Sequence, residues 1–270
     1  MGIVIAGLGI VAIVAPPLLT IVIHGHGWRG GYFALAATVG VLGALSLWLI
    51  GPPHLGQVGQ QVAEAPTPPS RTAAGGAFWL LLAVFAIGSI FSTGYMVHLV
   101  AILKQRGMSD LGASGIASLA GIGLLAGRVL SGWLMDRIFA PRVGSAIFVG
   151  FAIALALLAT GSQTMLLPAV LLMGVCLGSE LDILGYLVSR YFPIGSFGKV
   201  YSVIYSATFI VGGFSPLLIA RLSRQGADYT TAFWCSCAAL ALVAVLLLFA
   251  PPFPVELAPA GRRREADEHD

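Results

Sequence analysis

Apolar residues run through this chain in long unbroken stretches, and the polar positions collect between them. No Asp, Glu, Lys or Arg occurs in residues 1–28, 30–63, 72–103, 143–179, 200–220 or 229–255. A helix needs about 20 apolar residues to cross a hydrocarbon core roughly 30 Å thick, so each stretch is long enough for one crossing. The stretch 143–179 runs into a second crossing, split at the polar turn Gly161-Ser162-Gln163-Thr164, and residues 112–135 add a span interrupted only by Arg128. The pattern predicts eight transmembrane helices, at about 2–23, 30–50, 77–103, 112–135, 143–160, 165–189, 196–220 and 229–250. Lipid offers no partners to backbone N–H and C=O groups, which leaves helices or a closed barrel. Barrel strands alternate over about ten residues, and these runs do not.

Two stretches break the pattern. Residues 51–76 hold Pro52-Pro53, Pro66, Pro68-Pro69 and the pair Gly75-Gly76, the composition of a linker. Residues 251–270 begin Pro251-Pro252 and end in Arg262-Arg263-Arg264 followed by acids, a solvated tail. The chain thus divides into 1–50, two helices; 51–76, a linker; 77–250, six helices; and 251–270, a tail.

Composition sharpens the class. Charged residues make up 9% of the 270 and hydrophobic residues 58%, too few charges to coat a soluble globule. A net charge of +3 spread over apolar sequence gives no nucleic-acid surface, and three cysteines make no disulfide framework. With both termini on one side, that side carries eight Lys and Arg against five on the other. The positive-inside rule then predicts cytoplasmic termini. Twelve Arg against two Lys, with short loops, points to a bacterial inner membrane. No H-E-x-x-H, G-x-S-x-G or phosphate-cradling G-x-x-x-x-G-K motif occurs, so the chain is not read as an enzyme or an ATP-driven pump. No cofactor is implied.

One turn carries a specific pattern. Residues 127–137 read Gly127-Arg128-Val129-Leu130-Ser131-Gly132-Trp133-Leu134-Met135-Asp136-Arg137. This resembles the G-R-x-x-x-G-x-x-x-D-R signature of the major facilitator superfamily of transporters. Gly27-Trp28-Arg29 is similar to the turn between that family's helices 5 and 6, Gly178 to Phe192 to its helix 10, and Gly213-Phe214-Ser215-Pro216 to its helix 11. The branch the chain looks most like is the bacterial monocarboxylate and oxalate/formate type. The resemblance implies an all-α polytopic membrane fold in which the eight spans correspond to helices 5–12 of twelve, the first four being absent. Residues 1–50 become the last two helices of the N-terminal bundle, 51–76 the central cytoplasmic loop and 77–250 the C-terminal bundle. The implied partners are a lipid bilayer, a small-molecule substrate and a proton or counter-substrate.

Charged and polar residues inside spans are costly and mark function by default. Glu180 and Asp182 lie in the sixth span; two residues apart on a helix they point about 200° apart and cannot share a face. Asp182, Tyr186 and Ser189 follow i, i+4, i+7 spacing. Arg128 lies about 10 Å before the end of its helix, a depth matching Asp182, and is the expected counter-charge, as an anion-binding or gating arginine or as a packing bridge to Glu180, Asp182 or Asp136. His98 could bind a carboxylate, relay a proton or simply hydrogen-bond a neighbouring backbone. Gly127, Arg128, Gly132, Asp136 and Arg137 form the signature turn. His24 and His26, without a nearby carboxylate or cysteine in sequence, make no metal site. The rows Ala36/Gly40/Ala44, Gly123/Gly127 and Gly174/Gly178 are expected packing seams. Two functions remain open here: a secondary active transporter of a small solute, such as an organic anion, working by alternating access, or a truncated, non-transporting membrane remnant or assembly subunit.

Overall fold

The computed structural model describes residues 2–50, 73–223 and 228–253, and the linker at 51–72, the loop at 224–227 and the tail beyond 253 lie outside the described residues. Among the described residues there are seven helices: α1 (Gly2–Ile50), α2 (Ala73–Gln105), α3 (Asp110–Met135), α4 (Ala140–Ala159), α5 (Gln163–Tyr191), α6 (Ile194–Leu222) and α7 (Thr230–Leu248). All seven contain segments long and apolar enough to cross a membrane, and the protein is a multi-pass membrane protein.

The expected count of eight is corrected to seven. The first two predicted spans run together in α1, whose 49 residues are broken only at Gly27, with φ 68° and ψ 179°. A straight helix of that length would reach about 74 Å, far beyond one bilayer. Instead the chain doubles back. A Cβ at Gly31 would touch the Ile23 side chain, at 2.9 Å, and one at Gly30 would strike His26. Val11, Val14 and Leu18 from the first half line one groove with Ala34, Leu35 and Thr38 from the second. A single residue in the left-handed region, where only glycine is at ease, replaces the loop that the sequence pattern led us to expect.

The remaining six spans fall within a few residues of their predicted bounds. They pack as pairs, α3 with α5, α2 with α6 and α4 with α7, and α4 also lies against α5. Short turns set the order: Gly107 at φ 83° between α2 and α3, and Gly161 at φ 74° between α4 and α5. Ser109 caps α3 by accepting from the Gly112 N–H at 3.2 Å. Arg106 donates to the Leu158 carbonyl at 2.8 Å and Gln163 donates to the Arg106 carbonyl at 2.9 Å, fastening these two turns together.

The closest approach is between α3 and α5. A Cβ on Gly123 would land on the Leu171 carbonyl, on Gly127 on that of Val175, on Gly174 on that of Ala120, and on Gly178 on that of Leu124. The two backbones therefore touch without side chains between them. The Ser179 hydroxyl sits at the contact, 2.8 Å from the Val175 carbonyl and 2.9 Å from that of Gly127. The row Ala36/Gly40/Ala44 does not behave this way: it lies exposed, with nothing within 4 Å of a Cβ at Gly40. What ties α1 to the bundle is its packing on α3 and a contact of His24 Nε2 with Asp110 at 3.2 Å, with Lys104 Nζ also on Asp110 at 2.6 Å.

Gly127 and Gly132 separate two kinds of glycine. At Gly132 an added Cβ meets nothing within 4 Å. We expect Gly127→Ala to destabilise the purified protein in detergent by about 1–3 kcal/mol through overpacking, and Gly132→Ala to leave it unchanged or slightly more stable. Thermal unfolding measures both; equal effects at the two positions would contradict the backbone contact.

Candidate functional site

The glycine contact decides where the charged residues meet. Arg128 follows Gly127 on α3, and its Nη1 donates to Asp182 Oδ1 on α5 at 3.0 Å. The pair is half-sheltered, with 15% of the Arg128 side chain and 29% of that of Asp182 exposed. A guanidinium has five N–H donors. The Arg128 Nε is buried and has no hydrogen-bond partner among the described residues. The arginine is thus held by one carboxylate oxygen and keeps donor capacity unused.

Glu180 turns the other way, as the 200° offset requires. It is 7% exposed and lies against Gly88 and Ser92 of α2, Phe148 and Phe151 of α4 and Leu240 of α7. Its Oε1 is buried without a partner. Beside it a cleft of about 250 Å³ opens between α2, α5 and α6, lined by Ser89, Ser92, Thr93, Leu177, Thr208 and Phe209. The Ser89 hydroxyl crosses this interface to the Thr208 carbonyl at 3.0 Å. The two acids therefore serve different surroundings: Asp182 faces an arginine, Glu180 faces hydroxyls and apolar packing.

His98 is fully engaged. Its Nε2 is 3.1 Å from the Pro216 carbonyl, which can only accept, so Nε2 carries the proton; its Nδ1 is 3.0 Å from the Tyr229 hydroxyl. Pro216 lacks an N–H and leaves the Gly212 carbonyl without its helical donor, and the Ser215 hydroxyl supplies one at 2.5 Å. His98 is thus a bridge from α2 to Pro216 of α6 and to Tyr229 at the start of α7. Tyr186 packs partly against the core, and among the described residues its hydroxyl makes no hydrogen bond. At the signature turn, Asp136 and Arg137 are exposed, Asp136 forms no ion pair among the described residues, and Arg137 lies 3.9 Å over the Trp133 ring.

An aromatic ladder on α6 was not among the sequence candidates. Phe197, Tyr201, Tyr205 and Phe209 stack in turn, with ring centroids 5.5, 5.5 and 4.6 Å apart. Tyr201 lies within electrostatic reach of Asp182 and Arg128, and Phe209 walls the Glu180 cleft. The ladder's signal was present as aromatics at every fourth residue, but it is hidden inside a span that is apolar throughout. The Ser92 hydroxyl beside Glu180 was missed for the same reason.

The Major Facilitator Superfamily model matches residues 1–216 and again residues 116–268. Monocarboxylate transporter 13 of Rattus norvegicus is 30% identical over 63% of this chain and 40% of its own length. Monocarboxylate transporter 11 of Homo sapiens is 24% identical over 86% of this chain and 52% of its own length. The chain spans about a third to a half of the length of the curated relatives it matches. A solved bacterial homologue of the human lysosomal transporter Spinster, inward-facing and unoccupied, aligns over 83% of this chain and 57% of that chain, with a TM-score of 0.48 and 19% identity. With its signature turn at Gly127–Arg137 and a family match across most of its residues, the chain belongs to the Major Facilitator Superfamily, a family of membrane transporters of small molecules and not of enzymes.

Proposed function

We propose that the protein works as a secondary active transporter of a small organic anion of the monocarboxylate class, by alternating access. In this reading α1 supplies the last two helices of an N-terminal bundle, residues 51–76 the central cytoplasmic linker, and α2–α7 the C-terminal bundle, equivalent to helices 5–12 of the family. Both termini face the cytoplasm of a bacterial inner membrane.

The observation that carries the reading is the Arg128–Asp182 pair. An arginine held at one point by a partly exposed carboxylate, with its Nε unpartnered, is poised to exchange that carboxylate for one on a solute. Bound anion would displace Asp182, and release would let the pair re-form. Making and breaking the pair would bias the bundle between states, because a ligand shifts an equilibrium only by contacts that differ between them. The Tyr201 ring near the pair would receive the body of the solute. The names of the relatives agree with a carboxylate cargo.

A second reading, a non-transporting remnant or assembly subunit, draws on the Ala36/Gly40/Ala44 face of α1, a small-residue surface left exposed among the described residues.

Liposomes reconstituted with the protein separate the two. Transport predicts time-dependent uptake of a radiolabelled small carboxylate. Losing a charged hydrogen bond to the solute costs about 1.5–3 kcal/mol, so Arg128→Gln should lower uptake roughly tenfold or more. Uptake that Arg128→Gln leaves unchanged would remove the anion role, and no uptake above empty liposomes would favour the second reading.

A further inference from the structure

We infer that Tyr201 makes the site selective for a carboxylate carried on an aromatic ring over one carried on a saturated ring or chain. The inference rests on the anion reading of Arg128 and names the class of solute that the reading leaves open.

The Tyr201 ring leans from α6 onto α5 beside the charged pair. Its Cε2 lies 3.7 Å from where a Cβ on Gly185 would stand, an ordinary contact distance. Gly185 follows Asp182 by three residues, about 4.5 Å of helical rise, so the two share a face of α5. Asp182 holds Arg128 at 3.0 Å, and Tyr201 lies within electrostatic reach of both charges. The ring therefore stands next to the carboxylate that a bound anion would displace.

Neighbouring rings fix how Tyr201 is turned. Phe197 and Tyr205 lie one helical turn before and one after it. Both are stacked on it, with centroids 5.5 Å away and planes inclined by 11° and 23°. The two faces of Tyr201 are thus turned along α6 to its neighbours. What it offers sideways, toward α5, is its rim. The phenol hydroxyl sits on that rim, on the carbon next to Cε2, and has no hydrogen-bond partner among the described residues. Packing alone holds the ring, and tilting it would break two ring contacts at once. The rim is in place before a solute arrives.

A ring met edge-on discriminates between solutes. An aromatic rim is electropositive and an aromatic face electronegative, so the rim of one ring pairs with the face of another. A solute ring gives Tyr201 such a face. A saturated ring of the same size has none and gains only apolar contact. Stacking face to face is closed to the solute, because Phe197 and Tyr205 already hold both faces.

Equilibrium binding to the reconstituted protein, with benzoate and cyclohexanecarboxylate as the two probes, tests the selectivity. The probes carry the same charge on rings of similar size. We expect benzoate to bind roughly two- to tenfold tighter, the range of one ring pair. Tyr201→Phe keeps the ring and the stack and should keep that ratio. Tyr201→Leu should weaken benzoate until the two affinities meet, leaving cyclohexanecarboxylate near its wild-type value, which also shows that the variant is folded. Equal affinities in the wild type, or an unchanged ratio in Tyr201→Leu, would overturn the ring selectivity while the anion site stands. Binding of neither probe to the wild type would overturn the anion reading, and this inference with it.

Discussion

The backbone contact between α3 and α5 is the constraint on which the rest of the structure depends. Within a bilayer, apolar side chains gain nothing by leaving lipid for one another, so helices associate through close packing and polar contacts. Four glycines, two on each helix, bring the chains together carbonyl against Cα, and Ser179 adds a hydroxyl between them. The register of that contact then fixes the chemistry. Arg128 follows Gly127 and Asp182 lies one turn beyond Gly178, so closing the glycine seam brings guanidinium and carboxylate within hydrogen-bond distance. Were the helices kept a side chain further apart, the same residues would be two unpaired charges in a membrane.

From that seam α5 becomes the helix that divides the labour. Its residues at 180 and 182 face opposite ways, and their neighbours give them opposite characters. Asp182 has a cation, some exposure to solvent and the aromatic edge of Tyr201 nearby. Glu180 has the Ser92 hydroxyl of α2 and the apolar side chains of α4 and α7 beside it. One is paired with a cation, and the other has no ion-pair partner among the described residues. On α6 the rings of Tyr201, Tyr205 and Phe209 follow one another along the helix, and Phe209 walls the Glu180 cleft.

Much of this was legible in the sequence because the membrane simplifies the problem. Charge-free runs mark crossings, and α2 to α7 lie where those runs place them. The seams at Gly123/Gly127 and Gly174/Gly178 could be read from spacing, since small residues one turn apart have few other uses. The Arg128–Asp182 pair followed from matched depth. Other features had no sequence signal strong enough to separate them from background. The helix count differed because a reversal at one positive-φ glycine looks, to a hydropathy pattern, like any loop. Ala36/Gly40/Ala44 has the spacing of a seam, yet spacing says nothing of whether a partner is there. His98 read as a possible proton relay, and only the fold brings Pro216 and Tyr229 to its two nitrogens. The ladder and Ser92 sat in spans where every residue is permitted to be apolar or small.

The central claim is that Asp182 and an anionic solute compete for Arg128. Equilibrium binding of a radiolabelled small carboxylate to the reconstituted protein tests it most directly. Removing the internal competitor in Asp182→Asn should tighten binding relative to the wild type, while Arg128→Gln should abolish it. Equal affinity in the wild type and both variants would mean that the pair only braces α3 against α5, and the account of the site would fall.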